Sequence, residues 1–240
     1  MSDWNPNLDA QVNAIAVSDS IVYLGGEFTT AGATGRNYAA AFHDTTGAIQ
    51  SWNPNLDDFV RAIAVSDETV YLGGDFTNAG ATGRNYAAAF GTTGAGAIQS
   101  WNPDLGGIVN ALAVSDSIVY LGGNFTTAGA NDDGRNRAAA FHTDGTIQSW
   151  NPNLGGEVNA IEVSNSIVYL GGNFTTVAGG NTPRVRVAAF HIDGTIQSLN
   201  PELNDIVQAI AVSGSTLYLG GEFTNAGTYS SYNYYVGFMG

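Results

Sequence analysis

The phrase Trp-Asn-Pro occurs four times, opening at Trp4, Trp52, Trp101 and Trp150, and its fifth counterpart reads Leu199-Asn200-Pro201. An indole beside an asparagine suits a sugar, because the ring face stacks while the amide both donates to and accepts from hydroxyls. Trp4 with Asn5, Trp52 with Asn53, Trp101 with Asn102, Trp150 with Asn151, and Asn200 in the last unit are therefore candidate ligand contacts. The competing reading makes each indole a plug in the core, since burying one removes roughly 150–250 Å² from water. Leu199 fits a plug and not a stacking platform.

A second phrase, Gly-Arg-Asn, supplies Arg36 with Asn37, Arg84 with Asn85, and Arg135 with Asn136. A guanidinium there holds a carboxylate or an acidic sugar, or else braces its own loop against the acid after Gly-Gly, such as Glu27. Strict pairing is disfavoured, because Asn124 and Asn173 stand at that acid position in units that keep an arginine. Tyr232 with Asn233 takes the place of the phrase in the fifth unit, among Tyr229, Tyr234 and Tyr235. Such a cluster suits a recognition surface or seals the closing unit.

Catalytic chemistry finds no foothold. His43, His142 and His191 share one repeat position, too far apart to ligate a metal at about 2 Å each. Asp132-Asp133 and the Asp-Gly turns lack the alternating oxygen spacing of a calcium loop. There is no nucleophile elbow, zinc motif or phosphate loop. The expectation is a protein without catalytic residue, metal or cofactor.

What must position these phrases is a repeat. Tyr23, Tyr71, Tyr120, Tyr169 and Tyr218 each precede Leu-Gly-Gly, at steps of 48, 49, 49 and 49 residues by subtraction. In the first unit Val12 to Val17, Ile21 to Phe28, Asn37 to His43 and Ala48 to Trp52 read as four strands. The Ser18-Asp19-Ser20 and Asp44-Thr45-Thr46-Gly47 turns and the longer loop Thr29 to Arg36 separate them. Five units of four antiparallel strands, with alanine and Gly-Gly where sheets converge, predict one all-β domain over residues 1–240, a five-bladed β-propeller. The chain begins near a fourth-strand equivalent and stops after Phe238, a third-strand equivalent, so the N-terminal segment is expected to complete the fifth blade and close the ring. Strand alternation puts the Thr/Gly loops and the Asn-Pro turns on one side, where any site is expected.

Net charge is −14, and all seven cations are arginine. That surface repels phosphate backbones and anionic membranes, so neither nucleic acid nor lipid is expected as partner. No apolar run is long enough for a membrane span, and without cysteine no disulfide or thiolate site exists.

The phrases VNAIAVSDSIVYLGGEFTTAG, RNYAAAF and the aromatic-Asn-Pro step resemble the bacterial delta-60 and galactose-oxidase-central-domain-like repeats. The resemblance spans the chain. It implies a propeller, an extracellular or cell-surface setting, and no catalytic residue to carry over. In size and blade number the chain is also similar to five-bladed lectins of the tachylectin type, without their sugar-site sequence. The resulting expectation is a monomeric, multivalent, lectin-like module for glycans or a protein partner. The alternative is a scaffold without ligand, favoured by the near-identity of residues 24–42 and 72–90, which points to recent amplification or consensus design.

Overall fold

The computed structural model describes residues 4–131, 133–227 and 233–238, the last segment as backbone. They form two compact units, Met1–Val109 with Gly129–Asn131, and Asn110–Ala128 with Asp132–Gly240. Tyr232 and the end residues expected to fasten a ring lie outside the described residues.

The first unit contains two three-stranded antiparallel sheets. In repeat 1 the strands Val12–Ser18, Ile21–Gly26 and Ala39–His43 pair in chain order, and in repeat 2 Val60–Ser66, Thr69–Gly74 and Ala87–Gly91 do the same. The hairpin between the first two strands is tight because Asp19 and Asp67 adopt positive φ (53° and 51°), the left-handed region that Asp tolerates best after Gly and Asn. Alanines 39–41 and 87–89 form strands despite their helix propensity, since the second strand of each repeat pairs with them along their length.

The second unit repeats the pattern. Repeat 3 has Val109–Ser115, Ile118–Gly123 and Ala138–His142; repeat 4 has Val158–Ser164, Ile167–Gly172 and Val187–His191. Repeat 5 has Val207–Ser213 and Thr216–Gly221 antiparallel, but its third strand, Asn233–Phe238, pairs parallel to the second. This differs from the antiparallel expectation. The fifth repeat lacks the arginine that precedes the third strand in the other four (Arg36, Arg84, Arg135 and Arg184).

The fourth strand is also reduced. Its segment touches the sheet through one bridge per repeat, Phe42 to Ile49, Phe90 to Ile98, Phe141 to Ile147 and Phe190 to Ile196. Two hydrogen bonds flank the first, His43 N to Ala48 O (2.9 Å) and Gln50 N to Ala41 O (2.8 Å). Pairing stops there because Trp52 buries its ring and Pro54, without an N–H, cannot extend the ladder.

Between second and third strands the long loop folds into a two-residue ribbon: Thr30–Ala31 with Thr34–Gly35, Asn78–Ala79 with Thr82–Gly83, Thr127–Ala128 with Asp133–Gly134, and Thr176–Val177 with Thr182–Pro183. Each sits on an Asn-Pro turn, as Gly32 N to Asn7 O and Gly80 N to Asn55 O show (2.8 and 2.9 Å). Asn7, Asn55, Asp104 and Asn153 hold positive φ in those turns, which explains the Asn/Asp at that place.

Sheets pack face to face inside each unit. A cluster of Tyr23, Trp52, Val60, Leu72, Phe76 and Phe90 joins repeats 1 and 2, and Tyr120, Trp150, Val158, Leu170, Phe174 and Phe190 join repeats 3 and 4. Glycine permits the approach: a Cβ on Gly25 would lie 2.3 Å from Val60 Cγ1, and one on Gly122 2.5 Å from Val158 Cγ1. A bulge after the first residue of the first strand turns Asn13 and Asn159 outward, and their amides, with that of Asn110, reach the carbonyls of Val60, Val207 and Val158 in the following repeat (3.1, 3.5 and 3.3 Å). Among the described residues no helix is long and apolar enough to cross a membrane.

Candidate functional site

The structure separates the sequence candidates by what their polar atoms already do. Trp52, Trp101 and Trp150 are 1, 2 and 3 % exposed. Trp52 stands edge-on between Tyr23 (5.2 Å) and Phe90 (6.2 Å), and Trp150 between Tyr120 (5.3 Å) and Phe190 (6.1 Å). These T-shaped contacts leave no ring face for a ligand to stack on. The stacking role expected of these indoles is replaced by packing, worth roughly 1.5–3 kcal/mol for each large apolar side chain buried. Leu199, fully buried, fills the same place. Trp4 is half-buried against Phe42 and donates from Nε1 to His43 O (3.1 Å).

The asparagines after the indoles shape turns. Asn5 Oδ1 accepts from Asn7 N (2.9 Å), Asn151 Nδ2 donates to Gly134 O (3.3 Å), and Asn200 Oδ1 accepts from Val185 N (3.1 Å). Asn102 is exposed, and Asn53 is half-buried with an Oδ1 that finds no hydrogen bond among the described residues.

The arginines serve as braces. Arg36 donates from NH1 to Gly35 O (2.9 Å) and from NH2 to Gln50 O (2.8 Å), tying the loop end to the fourth segment. Arg84, Arg135 and Arg184 repeat the pattern toward Gln99, Gln148 and Gln197. The partner is backbone carbonyl and not the acid after Gly-Gly, which is why Asn124 and Asn173 are tolerated there. Asp75, at that acid position, pairs with Arg61 instead (2.7 Å).

Side-chain pairs in which an asparagine amide donates lie beside the braces. Asn37 Nδ2 donates to Asn55 Oδ1 (2.8 Å), Asn85 to Asp104 Oδ1 (2.8 Å), and Asn136 to Asn153 Oδ1 (2.6 Å). Around the last pair lies an open depression of about 370 Å³, floored by Leu154 and edged by Gly155, Thr176, Gly179 and Gly180. Of the fifth-repeat candidates, Tyr232 is outside the described residues and Asn233 is described as backbone alone.

Two features escaped the reading of the residues. Asp9 and Asp57 clamp the long loop: Asp57 Oδ1 accepts from Thr77 N and Asn78 N (both 2.8 Å), and Oδ2 from Thr77 Oγ1 (2.9 Å). For Asp9 the bonds from Thr30 and Thr29 hold the carboxyl down at about 2. For Asp57 burial pushes upward, but the bonds from Asn78 and Thr77 outweigh it, and its pKa is also about 2. An unfolded carboxyl titrates near 3.9, so this contribution to stability is complete above that pH and is lost as pH falls through about 2. The Thr77 and Asn78 amide resonances of the native protein are expected to titrate with a midpoint near 2; a midpoint near 4 would show that the clamp is not formed.

The other feature is a cavity of about 250 Å³ between the sheets of repeats 3 and 4, on the side of the short turns. Tyr120, Gln148, Ser149 and Trp150 line it, with Asp116 and Ile192 from adjoining turns. Trp150 Nε1 is buried and makes no hydrogen bond among the described residues. Leaving such a donor unsatisfied costs roughly 1–3 kcal/mol.

No family model matches the chain, and no curated protein matches it. Among solved structures, the computationally designed Ika4 protein is 18 % identical with a TM-score of 0.50, over 76 % of this chain and 92 % of that one. The designed Ika8 protein is 16 % identical (TM-score 0.47; 97 % and 91 % covered). The Pan2 WD40 domain of Neurospora crassa is 12 % identical with a TM-score of 0.52, over 83 % of this chain and 54 % of that one. WD40 repeats build β-propellers, so the likeness to the Pan2 domain shows a fold of the β-propeller type, made of repeated antiparallel sheets.

Proposed function

We propose that the chain is a non-enzymatic, multivalent binding module, a single closed propeller of five blades that takes glycans on its long-loop side. The observation that carries this reading is the recurrence of a pair in which an asparagine amide donates (Asn37 to Asn55, Asn85 to Asp104, Asn136 to Asn153) beside ribbons braced by arginine, the first two also clamped by Asp9 and Asp57. Each pair uses one amide hydrogen internally and leaves further donor and acceptor capacity at a shallow polar rim. Shallow sites bind weakly, and repetition raises the avidity. Ile15 (63 %) and Val17 (62 %) stand exposed on the first strand of repeat 1, a face that closure of the ring would have to cover. The matching face in repeat 2 is covered by Gly25 of the repeat before it. The negative charge favours neutral over acidic sugars, and the resemblance to the delta-60-like repeats supports a setting outside the cell or at its surface.

A glycan array followed by calorimetry tests the proposal. Saturable binding of a neutral glycan with several sites per chain, weakened together by Asn37→Ala, Asn85→Ala and Asn136→Ala, supports it. The absence of any response at millimolar sugar sinks it. That second outcome is what a ligand-free scaffold predicts, a reading favoured by the arginines and tryptophans being engaged internally.

A further inference from the structure

We infer that the long loop of repeat 4 is a carboxylate-binding site. Thr175 and Thr176 hold a small organic carboxylate there as the same loop holds the chain's own Asp9 in repeat 1 and Asp57 in repeat 2. The site shares the long-loop side with the proposed glycan sites, but it rests on different atoms and stands whether or not a glycan binds.

The cradle is built three times around an acceptor from the chain itself. In repeat 1, Asp9 Oδ1 accepts from Thr29 N (2.8 Å) and Thr30 N (2.9 Å), and Oδ2 accepts from Thr29 Oγ1 (2.8 Å). Thr77 and Asn78 hold Asp57 in the same way. In repeat 5 a carboxamide serves: Asn204 Oδ1 accepts from Thr224 N and Asn225 N (both 2.9 Å), and its Nδ2 donates to Thr224 Oγ1 (3.0 Å). The donors therefore belong to the loop backbone and its first threonine, whichever acceptor faces them. In repeats 1 and 2 they keep the carboxyl ionised down to about 2.

Repeat 4 keeps the donors and lacks the acceptor. Thr175 and Thr176 stand where Thr29 and Thr30 do, and Gly155 takes the place of Asp9. The backbone is turned the same way. Thr176 O accepts from Gly155 N (2.9 Å), and in a strand the N–H points to the same side as the carbonyl, toward position 155. Thr175 N, Thr176 N and the Thr175 hydroxyl find no acceptor among the described residues. Thr175 is exposed, and Thr176 and Gly155 line the open depression of about 370 Å³, so an incoming group reaches the loop from solvent. Thr176 Oγ1 leans into this space, 2.4 Å from where a Cβ on Gly155 would stand. One rotation about χ1 moves that hydroxyl aside or makes it a further donor.

The charge around the loop agrees. Residues 5–38 carry three acids and one arginine, whereas residues 151–186 carry two acids (Glu157 and Glu162) and two arginines (Arg184 and Arg186). The net charge of −14 thus opposes an anion less at repeat 4 than at repeat 1.

Titration of the intact chain with acetate at about pH 6, where carboxylates are ionised, tests the assignment through the Thr175 and Thr176 amide resonances. A saturable shift at both is expected. Gly155→Asp supplies an internal carboxylate, as in repeats 1 and 2, and should abolish the response. Thr175→Val removes the hydroxyl donor and should weaken binding about fivefold. Asp57→Gly should give Thr77 and Asn78 a new response to acetate, which keeps the test open if Gly155→Asp does not fold. Between N-acetylaspartate and glucuronate, the tighter binder names an acidic side chain or an acidic sugar as the source of the carboxylate. Thr175 and Thr176 resonances that stay still, or that move alike in the native chain and in Gly155→Asp, overturn the site. A response to acetamide as strong as that to acetate overturns the choice of a carboxylate. The glycan reading fails separately, when neutral sugars leave Asn37, Asn85 and Asn136 unmoved.

Discussion

Trp52→Ala is expected to lower the unfolding free energy by about 3–5 kcal/mol, the range for deleting a large buried aromatic. The indole is 1 % exposed, locked edge-on between Tyr23 and Phe90, and bonded through Nε1 to Gly91 O. Its removal opens a void between two sheets and leaves that carbonyl without its partner. The rigid hairpins on either side cannot collapse into the space, because each strand is tied to its neighbours along its length. In urea, with a slope of about 3 kcal/mol/M, the midpoint should fall by more than about 1 M. A loss below about 1 kcal/mol would mean that the ring is not packed as described. Trp4→Ala, at a half-buried position, is expected to cost distinctly less.

Gly172→Ala should be as damaging for a different reason. An added Cβ would stand 2.0 Å from the carbonyl oxygen of Glu157. Neither backbone can yield: Gly172 N donates to Arg186 O (2.9 Å), and Asn173 N donates to that same Glu157 oxygen (3.0 Å). Overpacking against side chains costs about 1–3 kcal/mol; against fixed backbone we expect about 3–5 kcal/mol, measured by the same denaturation. Gly35→Ala is the control, because nothing lies within 4 Å of its Cβ position, and it should leave stability unchanged or slightly raised. Equal losses at the two positions would refute the steric account. The same carbonyl contact recurs at Gly26, Gly74 and Gly221, which explains why the second glycine of Leu-Gly-Gly is present in every repeat.

The candidate site shows how local and distant information divide. The brace formed by Arg36 joins residues 14 apart and was legible as one of two options for a loop arginine. Its acceptor was not, because a carbonyl carries no side-chain identity in the sequence. The clamp of Asp9 on Thr29 and Thr30 spans about 20 residues and depends on the Asn-Pro turn meeting the ribbon. Composition hides it further, since repeats 3 and 4 place Gly106 and Gly155 where Asp9 and Asp57 stand. The bulged Asn13 looks like an ordinary outward strand residue; the sheet beside it, 47 residues on, makes it a tie between repeats.

What followed from the sequence by itself was whatever repeats locally. The period, the tight Asp-turn hairpins, the alanine strands and the glycine pairs are properties of short stretches, and five near-copies make each of them plain. Tertiary structure decided which atoms remain available to a ligand, because that depends on what a neighbouring repeat lays across them. Trp52 Nε1 reaches Gly91 O, 39 residues on in the next repeat, whereas Trp150 Nε1, buried in the same way, finds no acceptor among the described residues. Only the packed arrangement sets those two stretches side by side.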